Sequence, residues 1–283
     1  MKVRRADADD VPALAAILAA NDEPMDWPDL PGLGWPYLDH LVGRARTAVA
    51  VVDDVVVGFG GSVPFGRDDV RFVTDLFVDP QRQSGGVGRA LLSSVLEGAT
   101  ERMTFSSSDE RALGLYVRAG MRPWWPLLYV EIAAGALGDA AAGIETSTAS
   151  VEETARFSRA WTGIDRTADF EHYASLPEAA GFVARDAGVL VAAGWARRER
   201  KRSDGRWLDH ASIAPDADPV RTAIGVLRAA AVGKRLTAAL PGPHPVLPVV
   251  LELGARIAGR DQFCATDPGL LDPVRVLPNP GFL

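Results

Sequence analysis

Between a β-forming run, Arg71 to Val78, and a helical run that begins near Val87 lies the stretch Asp79-Pro80-Gln81-Arg82-Gln83-Ser84-Gly85-Gly86-Val87-Gly88. A turn from strand into helix that carries Gly85, Gly86 and Gly88 restricts the fold more than any other segment of the chain. Glycine keeps side chains off the backbone. Bare N–H groups at the positive end of a helix then form a concavity suited to an anion such as a diphosphate. Gln83 can donate its side-chain amide to a phosphate oxygen, and Arg89 adds a charge nearby or faces solvent. The glycine spacing is that of neither the dinucleotide fingerprint nor the P-loop. From the residues alone, an ordinary glycine-rich turn is the other reading.

The runs around this turn set the element order. Val3–Ala6 reads as a strand, and Asp7–Asp10 as the start of a helix carrying Val11, Leu14, Ile17 and Leu18 on one face. Residues 24–36 are rich in Pro, Gly and Trp and read as a loop or broken helix. A second helix is expected from Tyr37 to about Arg44. Thr47–Val52 and Val55–Pro64 read as a hairpin around Asp53-Asp54, followed by the strand Arg71–Val78. A helix from Val87 to Ala99, a strand Met103–Ser106, a helix Asp109–Ala119 closed by Gly120 and a strand Leu127–Ile132 complete the half. Antiparallel hairpins first and a βαβ-like unit later make this an α+β, mixed α/β sheet and not a Rossmann fold.

Two motifs resemble the GNAT N-acetyltransferase superfamily. Gln83-x-x-Gly86-x-Gly88, after Leu76-Phe77-Val78-Asp79-Pro80 and before Ala90-Leu91-Leu92, is similar to its pyrophosphate motif Gln/Arg-x-x-Gly-x-Gly/Ala. Ala112-Leu113-Gly114-Leu115-Tyr116-Val117-Arg118-Ala119-Gly120-Met121 is similar to its Ala-x-x-x-Tyr-x-x-x-Gly-Phe segment, with Met121 in place of Phe. Asp109 stands where many members carry Asn.

The resemblance covers residues 1–133 and implies an acetyl-CoA-dependent N-acyltransferase domain acting on a primary amine of a small molecule or peptide, without a metal. It implies that Leu76, Phe77 and Val78 pair with the pantetheine arm, and that the loop Gln83, Ser84, Gly85, Gly86, Val87, Gly88 and Arg89 takes the pyrophosphate. It places Tyr116 at the general-acid position, aromatic packing being its other role. Asp75, an acid among β-formers, is a candidate base or else a carboxylate bound locally. Trp27, Trp35 and Tyr37, with Met25 and His40, fall where members build the acceptor wall, or else they cover the core. A non-catalytic acyl-CoA sensor is the alternative function.

Residues 134–143, small and featureless, read as a linker, and a short helix is the rival. From 144 to 283 a similar order returns: a strand Ile144–Ala149, two helices, a hairpin around Asp186-Ala187-Gly188, a strand Arg206–Ile213, a helix Pro219–Gly233, a strand Arg235–Leu240 and a helix Pro245–Ala258. The expected architecture is two GNAT-like domains in tandem. The second is degenerate, because the place of the glycine loop reads Ile213-Ala214-Pro215-Asp216-Ala217-Asp218-Pro219. Its prolines remove donors and its carboxylates repel a diphosphate. Two roles are open to it, completing a substrate cleft or making a homodimer contact. Arg166, Asp169, Phe170, His172, Tyr173, Asp209 and His210 form its most polar-aromatic cluster, for which structural use is expected.

The formal net charge of −7 argues against nucleic-acid and anionic-membrane partners. The densest basic run, Arg197 to Arg202, reads as a solvated hairpin tip. The single cysteine, Cys264, cannot form a disulfide framework or a thiolate cluster and reads as a buried structural thiol. With no signal-like apolar segment at Met1–Arg5 and no run of membrane-spanning length, a cytoplasmic protein is expected.

Overall fold

A computed structural model describes residues 1–107, 109–138, 140 and 142–282. The elements up to residue 132 are β1 (Lys2–Arg5), α1 (Val11–Ala20), α2 (Pro36–Arg44), β2 (Arg46–Val52), β3 (Val55–Phe65), β4 (Arg67–Val78), α3 (Val87–Val95), β5 (Glu101–Ser106), α4 (Glu110–Arg118) and β6 (Arg122–Ile132). After them come β7 (Ile144–Ala149), α5 (Val151–Thr162), α6 (Thr167–Ala174), β8 (Ala180–Asp186), β9 (Val189–Arg198), β10 (Gly205–Ile213), α7 (Pro219–Ala231), β11 (Arg235–Pro241), α8 (Val246–Glu252), β12 (Arg256–Ala265) and β13 (Val276–Leu277). They form two compact units. The first is Met1–Trp124 with Phe263–Pro268 and Phe282, and the second is Trp125–Gln262 with Gly269–Gly281.

In the first unit the strands run β1-β2-β3-β4-β5. Pairing is antiparallel up to β4 and parallel between β4 and β5. α3 turns Val87, Leu91, Leu92 and Val95 inward, at spacings that place them on one helical face, against Val57 and Val73 of the sheet and Tyr116 and Met121 from α4 and its end. Asp109 caps α4 by accepting from Arg111 N at 2.8 Å. Gly120, at φ 88°, ends it. Segment 263–268 lies along β5, with Thr266 N donating to Arg102 O at 2.9 Å.

In the second unit the order is β7-β8-β9-β10-β11-β6. Trp125–Ile132, the strand expected to close the first half, belongs here because its partner is β11, from Leu127↔Pro241 to Ile132↔Leu236. α7, capped by Asp218, packs Ala223, Ile224, Val226, Leu227 and Ala230 into the core of this sheet. Of the expected linker, the described residues are turns, and Leu137 is buried in this core.

Two expectations are corrected. The helix expected over Pro245–Ala258 stops at Glu252, because Gly254 takes φ 89° and Ala255 N closes on Val250 O at 3.0 Å. The strand β12 follows, unanticipated from the sequence. The basic run is only partly a solvated tip. Arg198 is buried, and Arg197 reaches Asp209 Oδ1 at 3.1 Å, leaving Lys201 and Arg202 exposed.

Candidate functional site

β4 and β5 pair from Val70↔Glu101 to Val73↔Thr104, where Thr104 Oγ1 donates to Val73 O at 2.9 Å. Among the described residues, β4 then runs on to Val78 with no strand paired on this side. At the point of parting its other edge is irregular: Gly61 faces Asp75 and Ser62 faces Val73, so Thr74 is an extra residue. Such a bulge re-aims the side chain that follows it. Leu76, Phe77 and Val78 are half-buried along this free stretch, the Phe77 ring stacking on Phe59 at 5.7 Å between centroids.

The free stretch leads into the glycine loop. Ser84 and Gly86 take φ 69° and 81°, and Gly86 starts α3 with no side-chain cap. The first amides of α3, those of Val87, Gly88 and Arg89, have no partner within the helix. A Cβ on Gly86 would meet nothing within 4 Å, so its glycine is required by φ alone. At Gly88 the reason is contact, since a Cβ there would lie 3.2 Å from Leu115 Cδ1 and 3.8 Å from Val78 Cγ2. Donor amides on a left-handed turn at a helix start fit a diphosphate.

Gln83, at the entry to the loop, has partners on both sides. Its amide nitrogen donates to Val78 O at 3.3 Å and approaches Asn21 Oδ1 at 3.5 Å, while Arg111 donates to its Oε1 at 2.5 Å. Gln83 therefore ties the loop to α1 and α4. Asn21 and Arg111 were not anticipated. Arg111 is held by Asp109 through Nε at 3.0 Å and NH2 at 2.8 Å, which keeps the Asp109 carboxyl below its ordinary range. The signal available was Asp109 with a cation two residues on, at the start of a helix. Arg89 is exposed beside the loop.

Asp75 is only 5 % exposed, and burial pushes its carboxyl up to about 6. Opposing that shift, the Tyr37 hydroxyl donates to its Oδ2 at 2.7 Å. Tyr37 reaches it from the first turn of α2, whose entry is fixed by Pro36 at the first helical position. Phe282 packs on the rings of Tyr37 and His40, at 5.1 and 4.7 Å. Trp35, just before α2, is half-buried, whereas Trp27 is buried at 3 % exposure and belongs to the core. Tyr116, 5 % exposed, projects from α4 into the core cluster that also holds Val73, Val87 and Leu91.

In the second unit Arg166, Asp169, Phe170, Tyr173, Asp209 and His210 are all buried, and Ser158, Ser212 and His210 form a chain of hydrogen bonds with 2.9 Å steps. Burial holds the His210 imidazole well below its ordinary range, hence neutral. Cys264 is fully buried and its thiol is pushed up to about 12. Among the described residues no three His, Cys, Asp or Glu side chains gather to hold a metal, and no helix is long and apolar enough to cross a membrane.

Residues 14–121 match the model of the acetyltransferase (GNAT) family. Several solved structures are similar over nearly the whole chain. A candidate acetyltransferase from Pyrococcus horikoshii is 14 % identical, with a TM-score of 0.72 covering 98 % of this chain and 93 % of its own. A tandem GNAT protein of the clavulanic acid biosynthesis pathway is 16 % identical, with a TM-score of 0.62 covering 94 % and 99 %. A GCN5-related N-acetyltransferase from Anabaena variabilis is 14 % identical, with a TM-score of 0.62 covering 93 % and 72 %. No curated protein matches by sequence. The chain has the mixed α/β sheet of the GNAT acetyltransferase fold.

Proposed function

We propose that the first half of this chain is a GNAT-type N-acetyltransferase, which moves an acetyl group from acetyl-CoA to a primary amine of a small molecule or peptide by direct attack. The observation that carries this reading is the parting of β4 from β5 after Val73↔Thr104, which leads a free strand edge into a glycine loop at the start of α3. Acetyl-CoA supplies an activated acyl group. The backbone of Leu76, Phe77 and Val78 orients its arm, and the amides of Val87, Gly88 and Arg89 bind its diphosphate. Ser84, Gly85 and Gly86 shape the turn, and Arg111 and Arg89 add positive charge at its rim.

Asp75 accepts the proton that the amine loses as its nitrogen bonds to the acyl carbon. A carboxyl pushed up to about 6 is ionised at neutral pH yet more basic than an exposed one. Tyr116 gives its phenolic proton to the sulfur as the carbon–sulfur bond breaks, so the products are an amide and the free thiol. Tyr37 positions Asp75, and with Trp35 it lines the approach of the amine. Trp27 supports this wall from the core.

We also propose a division of labour between a catalytic GNAT half, built on residues 1–124, and a degenerate GNAT-like half that takes in β6 and the described turns within 134–143. Release of free thiol from acetyl-CoA, followed across a panel of amines, tests the activity. Turnover with at least one amine, abolished by heat denaturation, is the expected result. Tight CoA binding without turnover on any amine would favour a sensor.

A further inference from the structure

The β-bulges align the two halves without recourse to their sequences. In the first unit Thr74 is the extra residue, between Val73 and Asp75. In the second, Trp195 faces His210 and Ala196 faces Leu208, so Asp209 is the extra residue. His210 thus corresponds to Asp75, and Ala211, Ser212 and Ile213 correspond to Leu76, Phe77 and Val78. The parallel pairing also ends alike. β10 pairs with β11 only from Gly205↔Arg235 to Trp207↔Thr237, and then runs on to Ile213.

What differs is how the gap is filled. β13 lies antiparallel on the free edge of β10, Ala211 facing Leu277 and Ser212 facing Val276. Ile213 N donates to Arg275 O at 2.8 Å. Val276 and Leu277 are 4 % and 1 % exposed. Arg275 NH1 donates to Ala214 O at 3.0 Å and Ala217 O at 2.7 Å, on the turn that leads into α7. That turn corresponds to the glycine loop before α3, but it presents carbonyls to a cation where the other presents amides.

We propose that the C-terminal segment Asp272–Leu277 is a built-in occupant of the second unit's cleft. It takes, as an added strand, the backbone edge that the acyl donor's arm takes in the first unit, and it closes that half to a donor. The inference rests on the donor reading of the first unit given above. Its physical basis is that a free strand edge must find partners, which an extended peptide supplies as well as a pantetheine arm does. Arg275 completes the replacement by donating to the carbonyls of the turn, while Asp218 is spent on capping α7. One donor therefore binds per chain, and the second unit is completed by peptide and not by cofactor.

Amide hydrogen exchange on the full-length chain, with and without saturating CoA, tests this. CoA is expected to slow exchange by at least about tenfold across residues 76–89, to leave residues 208–214 unchanged, and to bind with a stoichiometry of one. Arg275→Ala, and more strongly Val276→Pro, should speed exchange across residues 208–213 by at least about tenfold while the CoA-dependent protection of 76–89 persists. Protection of 208–214 by CoA in the unaltered chain, or two CoA per chain, would overturn the proposal. So would unchanged exchange at 208–213 in both variants. If CoA protects neither region, the donor reading of the first unit fails, while the response of 208–213 to the two substitutions still decides whether the segment fills the cleft.

Discussion

The Tyr37 hydroxyl donates to Asp75 Oδ2 at 2.7 Å, joining the first turn of α2 to the strand residue just past the β4 bulge. Burial raises the Asp75 carboxyl to about 6, and this hydrogen bond restrains the rise. A base must be ionised to act, so acetyl transfer should increase with pH through a limb near 6. Tyr37→Phe removes the restraint and should move the limb to higher pH. Asp75→Asn should abolish the limb and lower kcat by about 10²-fold. The pH dependence of kcat for the three proteins checks this.

Gly86 and Gly88 should fail in different ways. At Gly86, with φ 81° and open space around its Cβ, Gly86→Val imposes backbone strain of about 1–2 kcal/mol and reshapes the donor amides. CoA affinity should fall by at least about tenfold. Gly88→Ala meets Leu115 at 3.2 Å and presses α3 away from α4, so its main expected effect is a lower Tm. Calorimetric titration and thermal unfolding of both variants separate the two causes.

Tyr116 is buried in the core cluster that also holds Val87 and Leu91 of α3. If its hydroxyl protonates the departing sulfur, Tyr116→Phe keeps the packing and removes the proton. The expected result is a loss of about 10–10²-fold in kcat with the KM for acetyl-CoA within about twofold of the unaltered value. An equal loss from a donor with a better leaving group, such as an acetyl thioester of an acidic thiol, would deny it the acid role.

In the second unit Arg197, 15 % exposed, pairs with Asp209, 1 % exposed, whose carboxyl burial raises to about 6. Arg197→Ala leaves a buried carboxylate that keeps the hydrogen bond from Asn279 and the nearby charge of Arg206 but loses its ion pair. A loss of about 3–5 kcal/mol of stability is expected at pH 8. Because the native carboxyl titrates above its unfolded value, this group's contribution to stability is greatest in acid and declines as pH rises through about 4 to 6. Losing the cation raises the native value further, so the penalty should be smaller at pH 5 than at pH 8. Urea unfolding at the two pH values measures both.

The strand and helix order of the first half was legible in the sequence because each run has its own period and its own stop, as with Asp109 before α4 and Gly120 after it. Gly86 and Gly88 were legible as parts of a strand-to-helix turn, though the separate reasons for them, φ at one and packing at the other, were not. The bracing of Gln83 by Asn21 and Arg111 was not, since its partners lie 62 and 28 residues away. Neither was the Tyr37–Asp75 bond, which depends on how α2 lies over β4. The strand β12 is not legible, because Leu253-Gly254-Ala255 reads as continuing a helix that the left-handed Gly254 in fact ends. β13 offers only two residues and gains its meaning from the free edge it covers.

The most direct test of the account compares two ligands by calorimetry: CoA, and pantetheine, which has the arm without the nucleotide diphosphate. CoA should bind the unaltered chain with a stoichiometry of one and lose at least about tenfold in affinity to Gly86→Val, while pantetheine binds weakly and equally to both. Equal affinity of CoA for the two proteins, or CoA binding no more tightly than pantetheine, would contradict a diphosphate held at the start of α3.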